Sequence, residues 1–151
     1  RAVWGSGPND VWAVGDGATI LRWNGSDWAL SFSGLTYQTP DGNTYSVAFY
    51  GVWGSGPNDV WAVGDVGTIM RWNGAAWTPS ASGTTEWLTG VWGSGPNDVW
   101  VVGDEGTILR WNGSTWMPSS SGTIERLSTV WGSGPNDVWI AGDYGTVLRR
   151  R

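Results

Sequence analysis

Apolar and polar residues follow one another in short bursts along this chain, each burst cut off by glycine, proline or asparagine. The stretch 88–118 shows the pattern most clearly. Leu88-Thr89-Gly90-Val91-Trp92 is β-prone and runs into Gly93-Ser94-Gly95-Pro96-Asn97-Asp98, a dense turn signal. Val99-Trp100-Val101-Val102 is apolar on both faces and predicts a second strand. Gly103-Asp104-Glu105-Gly106 turns the chain, with Gly106 suited to a positive φ, and Thr107–Trp111 forms the third strand. Asn112-Gly113 is a strong two-residue hairpin signal. Ser114-Thr115-Trp116-Met117 is then a fourth strand, ended by Pro118 at an edge where a sheet tolerates proline. No segment has the 3.6-residue period of a helix.

This pattern recurs. The string VWGSGPNDVW begins at Val3, Val52, Val91 and Val130, with intervals of 49, 39 and 39 residues. A period near 40 residues with Trp and Gly at constant offsets marks stacked supersecondary units. The repeats are 3–51, 52–90, 91–129 and 130–151 of a single unit spanning 1–151. A four-stranded antiparallel meander buried on both faces fits radial stacking, so the predicted class is an all-β β-propeller with blades of about 39 residues. A β-sandwich is the alternative, although sandwiches do not require near-identical repeats. The last repeat stops after its third strand, and residue 1 lies at a first strand. The expectation is therefore a longer ring, or several copies completing one another as a homo-oligomer, since an exposed strand edge recruits partners.

Composition narrows the chemistry. Fourteen of the fifteen Trp sit at repeat positions, Trp87 being the exception, so most are expected to pack between repeats. Net charge is −5 with no Lys, which leaves no basic footprint for nucleic acid. No apolar run approaches the roughly 18 residues of a membrane span, and no signal-peptide pattern is read at the N-terminus. Without Cys or His there is no thiol nucleophile, no imidazole base and no common zinc ligand. Neither a cofactor nor a metal is expected, and the chain is read as a non-enzyme.

The run WGSGPNDVWAVGDVGTIMRWNG, residues 53–74, resembles the Trp-rich propeller repeats of large secreted proteins of myxobacteria and related bacteria. It is similar, more distantly, to Asp-box (BNR-type) propellers, although Asn24, Asn73 and Asn112 stand near the position of the family's Asp. The resemblance implies a propeller, rings of six to eight blades, and an extracellular or cell-surface location. It says little about activity, because Asp-box propellers include lectins, sialidases and assembly factors alike.

Two carboxylates recur in each repeat, as Asp10/Asp16, Asp59/Asp65, Asp98/Asp104 and Asp137/Asp143. Each pair spans one strand, so roughly 20 Å separates its members. Glycoside hydrolysis needs about 5–9.5 Å, and calcium about six converging oxygens. They are read as turn-stabilising residues. Arg22, Arg71, Arg110 and Arg149 also recur. If Asp65-Val66-Gly67 is a three-residue turn, Trp61 lies opposite Arg71 with Asp59 diagonal to it. Asp59, Trp61 and Arg71, like Asp98, Trp100 and Arg110, are thus structural positions.

The first repeat carries ten extra residues within Leu35–Tyr50, where Pro40-Asp41-Gly42 between two Tyr-bearing stretches predicts a protruding hairpin. Recognition usually differentiates in such insertions. The candidate ligand-binding residues are Tyr37, Asp41, Asn43, Tyr45 and Tyr50, with the off-pattern Trp87. Three functions remain open: a module that binds a glycan or protein surface through its rim and aromatic residues, an architectural or self-assembling scaffold without a ligand, and a carboxylate-based glycoside hydrolase.

Overall fold

The computed structural model describes residues 1–151, and its regular structure is almost entirely strand. The first sheet comprises β1 (Ala2–Gly7), β2 (Asp10–Val14), β3 (Ile20–Trp23) and β4 (Trp28–Phe32). A separate hairpin follows, β5 (Thr36–Gln38) and β6 (Thr44–Ser46). The second sheet holds β7 (Phe49–Gly56), β8 (Asp59–Gly64), β9 (Ile69–Trp72) and β10 (Trp77–Pro79). The third holds β11 (Leu88–Gly95), β12 (Asp98–Gly103), β13 (Ile108–Trp111) and β14 (Trp116–Pro118). The fourth has three strands, β15 (Leu127–Gly134), β16 (Asp137–Gly142) and β17 (Val147–Arg150). Every sheet is an antiparallel meander in chain order. Two single-turn 3-10 segments, Asp65–Gly67 and Asp143–Gly145, are the only helical elements, and no helix is long and apolar enough to cross a membrane.

Two turns differ from the sequence expectation, while the Asp-turn has the positive φ expected at Gly106. The Gly-Ser-Gly segment is strand rather than turn: β11 continues to Gly95, and only Pro96-Asn97 links it to β12. A bulge between Gly93 and Gly95 absorbs the irregularity, and Ser94 Oγ donates to Asp98 Oδ2 at 2.6 Å, tying the hairpin end together. The Asn112-Gly113 connection is a four-residue loop, not a two-residue hairpin. Asn112 Oδ1 accepts the N–H groups of Ser114 and Thr115, both at 2.9 Å, and the fourth strand is delayed to Trp116. Local capture of backbone donors by an Asn side chain outcompetes the tighter turn. The Asp-turn places two successive residues in the left-handed region, including non-glycines Val66 (φ 47°), Glu105 (φ 52°) and Tyr144 (φ 53°). In the first sheet Gly17 and Ala18 adopt the same pair of conformations, at φ 66° and 55°, so the exchange of Ala for Gly leaves the turn intact.

Apolar side chains are buried between successive sheets. One core joins Trp12, Val14 and Ile20 of the first sheet to Val52, Ala62 and Trp77 of the second. The next joins Trp61 and Ile69 to Val99, Leu109 and Trp116. The last joins Trp100 and Ile108 to Val130, Val138 and Ile140. Each joint uses a Trp of the second strand as its centre. The Trp12 ring lies 5.2 Å from Trp72 and 5.3 Å from Trp77, and Trp61 lies 5.2 Å from both Trp111 and Trp116. A second Trp, on the first strand, covers a glycine of the following sheet. A Cβ at Gly54, Gly93 or Gly132 would sit 2.6, 2.6 or 2.5 Å from the rings of Trp4, Trp53 and Trp92. Only glycine admits this approach.

Candidate recognition site

The repeated ion pairs define what the scaffold already uses. Trp61 pairs with Arg71 across β8 and β9. Arg71 Nε donates to Asp59 Oδ1 at 2.8 Å while its guanidinium lies 4.5 Å from the Trp61 ring centre. It also lies 5.6 Å from Trp111 of the next sheet. Arg110 repeats the pattern, 2.7 Å from Asp98 and 4.9 Å from Trp100. These groups hold one another and the joints. Asp65, at the far end of β8 from Asp59, accepts the Ala48 N–H through Oδ2 at 2.9 Å. No group of three or more His, Cys, Asp or Glu converges as a metal would require.

Residues that break the repeat are free of that shared duty. Two residues before each VWGSG string stand Arg1, Tyr50, Thr89 and Ser128, and four residues before three of them stand Ala48, Trp87 and Arg126. The structure brings several of these together across the sheets. Tyr50, entering β7, stacks on Trp87, just ahead of β11, with ring centres 6.1 Å apart and planes at 22°. The Arg1 guanidinium covers Tyr50 at 4.8 Å and pairs with Asp16. Arg126 Nε lies 3.3 Å from Asp104 Oδ1. Trp87 remains 41% exposed, so its ring faces solvent although it is anchored on Tyr50. Burial, then the neighbouring Asp65 carboxylate, push the Tyr50 phenol up to about 12. The hydroxyl is therefore a neutral donor at ordinary pH. Thr89 takes no part: it is buried, and its hydroxyl donates to the Val102 and Leu127 carbonyls.

The inserted hairpin forms where the sequence places it. Tyr37 pairs with Tyr45, their ring centres 5.9 Å apart. Tyr37 packs against the first core, whereas Tyr45 is exposed. Asp41 and Asn43 are occupied in the turn: Asn43 Nδ2 donates to Asp41 Oδ2 at 2.7 Å, and the Thr39 hydroxyl bonds the same carboxylate. These contacts, Thr39 foremost, hold the Asp41 carboxyl below the ordinary carboxylate range. The candidate aromatics thus form two pairs on different elements, Tyr37 with Tyr45 and Tyr50 with Trp87. Sequence reasoning missed Arg1 and Arg126, though the signal was present: both stand where the repeats stop agreeing.

A groove of about 870 Å³ lies between the Ser82–Thr84 and Ser119–Ile124 loops. Its lining is mainly Ser, Thr and Gly, and its one Trp, Trp116, is already buried in a joint. It therefore presents no open ring on which a ligand could stack. Among the repeat Trp residues, those that are largely exposed (Trp28, Trp131 and Trp139) belong to the first and fourth sheets.

No protein-family model matches the sequence, and no curated protein matches it. Among solved structures, the chain is similar to YCF48 bound to a D1 peptide, with TM-score 0.59 and 16% identity over 99% of this chain and 64% of that one. It is also similar to YCF48 from Cyanidioschyzon merolae, with TM-score 0.58 and 13% identity over 99% of this chain and 68% of that one. The chain thus spans about two thirds of the length of these proteins. At such identities the likeness is one of fold: the successive antiparallel sheets are arranged as in those β-propeller proteins.

Proposed function

We propose that this chain is a non-enzymatic interaction module that binds a protein segment against the Tyr50–Trp87 stack. The observation that carries the reading is the convergence of repeat-breaking residues: an anchored, solvent-facing indole with Arg1 over its partner ring. Preorganised aromatic surface of this kind binds at low entropic cost, and Trp, Tyr and Arg dominate recognition energetics. Support also comes from a solved structure of the same fold, which holds a peptide. Seven of the eight recurrent carboxylates are taken up in an ion pair or a backbone hydrogen bond, which leaves hydrolysis the weaker reading. A location outside the cell or on its surface goes with this function through the resemblance of the repeats to secreted bacterial ones.

The test is a side-by-side screen of peptide and glycan arrays with the wild-type chain, Trp87→Ala and Tyr45→Ala. Peptide ligands are expected whose affinity falls about tenfold in Trp87→Ala, equivalent to about 1.4 kcal/mol, and is unchanged in Tyr45→Ala. Ligands held equally by all three proteins, or lost only in Tyr45→Ala, would sink the assignment. Glycans selected in place of peptides would make the site a lectin.

A scaffold without a ligand is the second reading. It is favoured by the burial of Trp12, Trp61, Trp77, Trp100, Trp111 and Trp116, which commits these six of the fourteen repeat Trp to joints rather than platforms.

A further inference from the structure

The joint between successive sheets occurs three times within the chain, and in each case it has two unlike halves. The outgoing half presents a first-strand Trp, a second-strand Trp and a third-strand aliphatic residue. In the second sheet these are Trp53, Trp61 and Ile69. The incoming half presents a glycine socket and a first-strand Val, joined in the second and third sheets, though not in the three-stranded fourth, by a pair of Trp rings. In the second sheet these are Gly54, Val52 and the pair Trp72–Trp77, 5.9 Å apart. Within residues 1–151 the fourth sheet carries a complete outgoing half with no partner sheet against it: Trp131 is 59% exposed, Trp139 40% and Val147 62%. Their equivalents Trp61 and Ile69 are 0% and 2% exposed. The first sheet carries an uncovered incoming half: Val3 is 66% exposed and Trp28 48%, against 8% for Val52 and 9% for Trp77.

We propose that these two faces are halves of one joint, and that the fourth sheet of one copy docks on the first sheet of a second copy, head to tail. The argument is continuity with a contact this sequence already makes. Trp23 and Trp28 lie 5.8 Å apart at 48°, the arrangement of Trp72–Trp77 at 46° and Trp111–Trp116 at 49°, so the receiving ring pair is formed before any partner arrives. Gly5 matches Gly54, Gly93 and Gly132 in the string, but no Trp ring lies over it. On the opposite face, the Arg149 guanidinium lies 4.9 Å from Trp139 and is bonded to Asp137. Arg22 and Arg71 hold the same posture and reach a ring of the next sheet at 5.6 Å. Arg149 is therefore aimed where the partner's Trp23 would stand. One contact is not reproduced: Ser31 in the fourth strand and Ser80 just past it, which accept the indole N–H of Trp77 and Trp116, have no counterpart in the three-stranded fourth sheet. Ring packing and the guanidinium carry the joint. A heterologous contact of this kind closes into a ring or extends as a chain of copies, according to the angle it sets.

Sedimentation across a dilution series tests the proposal with Val3→Glu and Val147→Glu, two exposed positions where the single chain tolerates a charge. The wild type is expected at two or more times the 16.2 kDa of one chain. Each variant alone is expected at one chain, a loss of at least twofold in mass, with an unchanged far-UV spectrum. Mixing the variants is expected to restore a two-chain species, because one retains an intact outgoing face and the other an intact incoming face. A wild type that stays at one chain throughout overturns the proposal, as do variants that keep the wild-type mass or a mixture that stays single. Tyr50, Trp87 and Arg1 belong to neither set of face residues, so the mass is read without added peptide and separately from ligand binding.

Discussion

Arg71 illustrates how much one side chain does in this protein. It satisfies Asp59, covers Trp61 in its own sheet and touches Trp111 in the next. A lysine has neither the fork nor the flat face for all three. Tyr50 is its counterpart at the proposed recognition site, and its titration gives a test. The phenol is raised from 10.0 to about 12 by burial first and by Asp65 second. Between these values the unfolded chain releases this proton and the folded chain keeps it. The contribution to stability is thus complete below about pH 10 and is lost as pH rises through about 12. Tyr50→Phe is expected to flatten the fall in denaturation midpoint over that window; a slope equal to that of the wild type would show that the shift is absent.

At the scale of the element, the Asp-turn shows the same local conformation in different surroundings. Gly67 and Gly145 occupy equivalent positions at φ 68° and 76°. A Cβ on Gly67 would lie 1.9 Å from the Thr84 carbonyl oxygen, whereas one on Gly145 meets nothing within 4 Å. Gly145→Ala should therefore cost about 1 kcal/mol, the price of the backbone conformation alone. Gly67→Ala should cost about 3 kcal/mol or more, since a backbone must also move. Urea titrations of the two variants decide it, and equal losses would contradict the close approach. The first sheet supplies a natural comparison. Ala18 takes the position of Gly67, fully buried, and its N–H donates to the Val47 carbonyl. Gly67 donates in the same way to the Glu86 carbonyl. The inserted hairpin changes the course of the connection, and the methyl group becomes part of the first core.

For the molecule as a whole, stability resides in the joints between sheets. Trp61 is fully buried between two rings of the following sheet, while Trp139 sits on the uncovered face of the fourth. Trp61→Ala is expected to cost about 3–5 kcal/mol and Trp139→Ala under about 1.5 kcal/mol, measured in dilute solution where copies are separate. Similar losses at the two sites would mean that the joints do not carry the fold. The association proposed above adds a corollary: at high concentration the Trp139 variant should lose stability relative to wild type as the partner's contribution is removed.

Much of this protein is written in its sequence. The Trp and Gly offsets and the apolar second strands specify repeated four-stranded meanders, because a strand with two apolar faces must be covered on both. The opposition of Trp61 and Arg71 follows from the three-residue turn, and the Pro40-Asp41-Gly42 hairpin from its own turn chemistry. Both depend on neighbours close in the chain. The extended Gly-Ser-Gly strand end and the wider Asn112 loop escaped the sequence, because there side chains compete with the backbone for the same hydrogen bonds. What only the tertiary structure decided lies between repeats. Tyr50 and Trp87 are 37 positions apart, and Arg1 lies farther still from Trp87. They meet because the stacking of sheets brings equivalent strand starts side by side, and that distance in space depends on how the joints pack, which no single repeat contains.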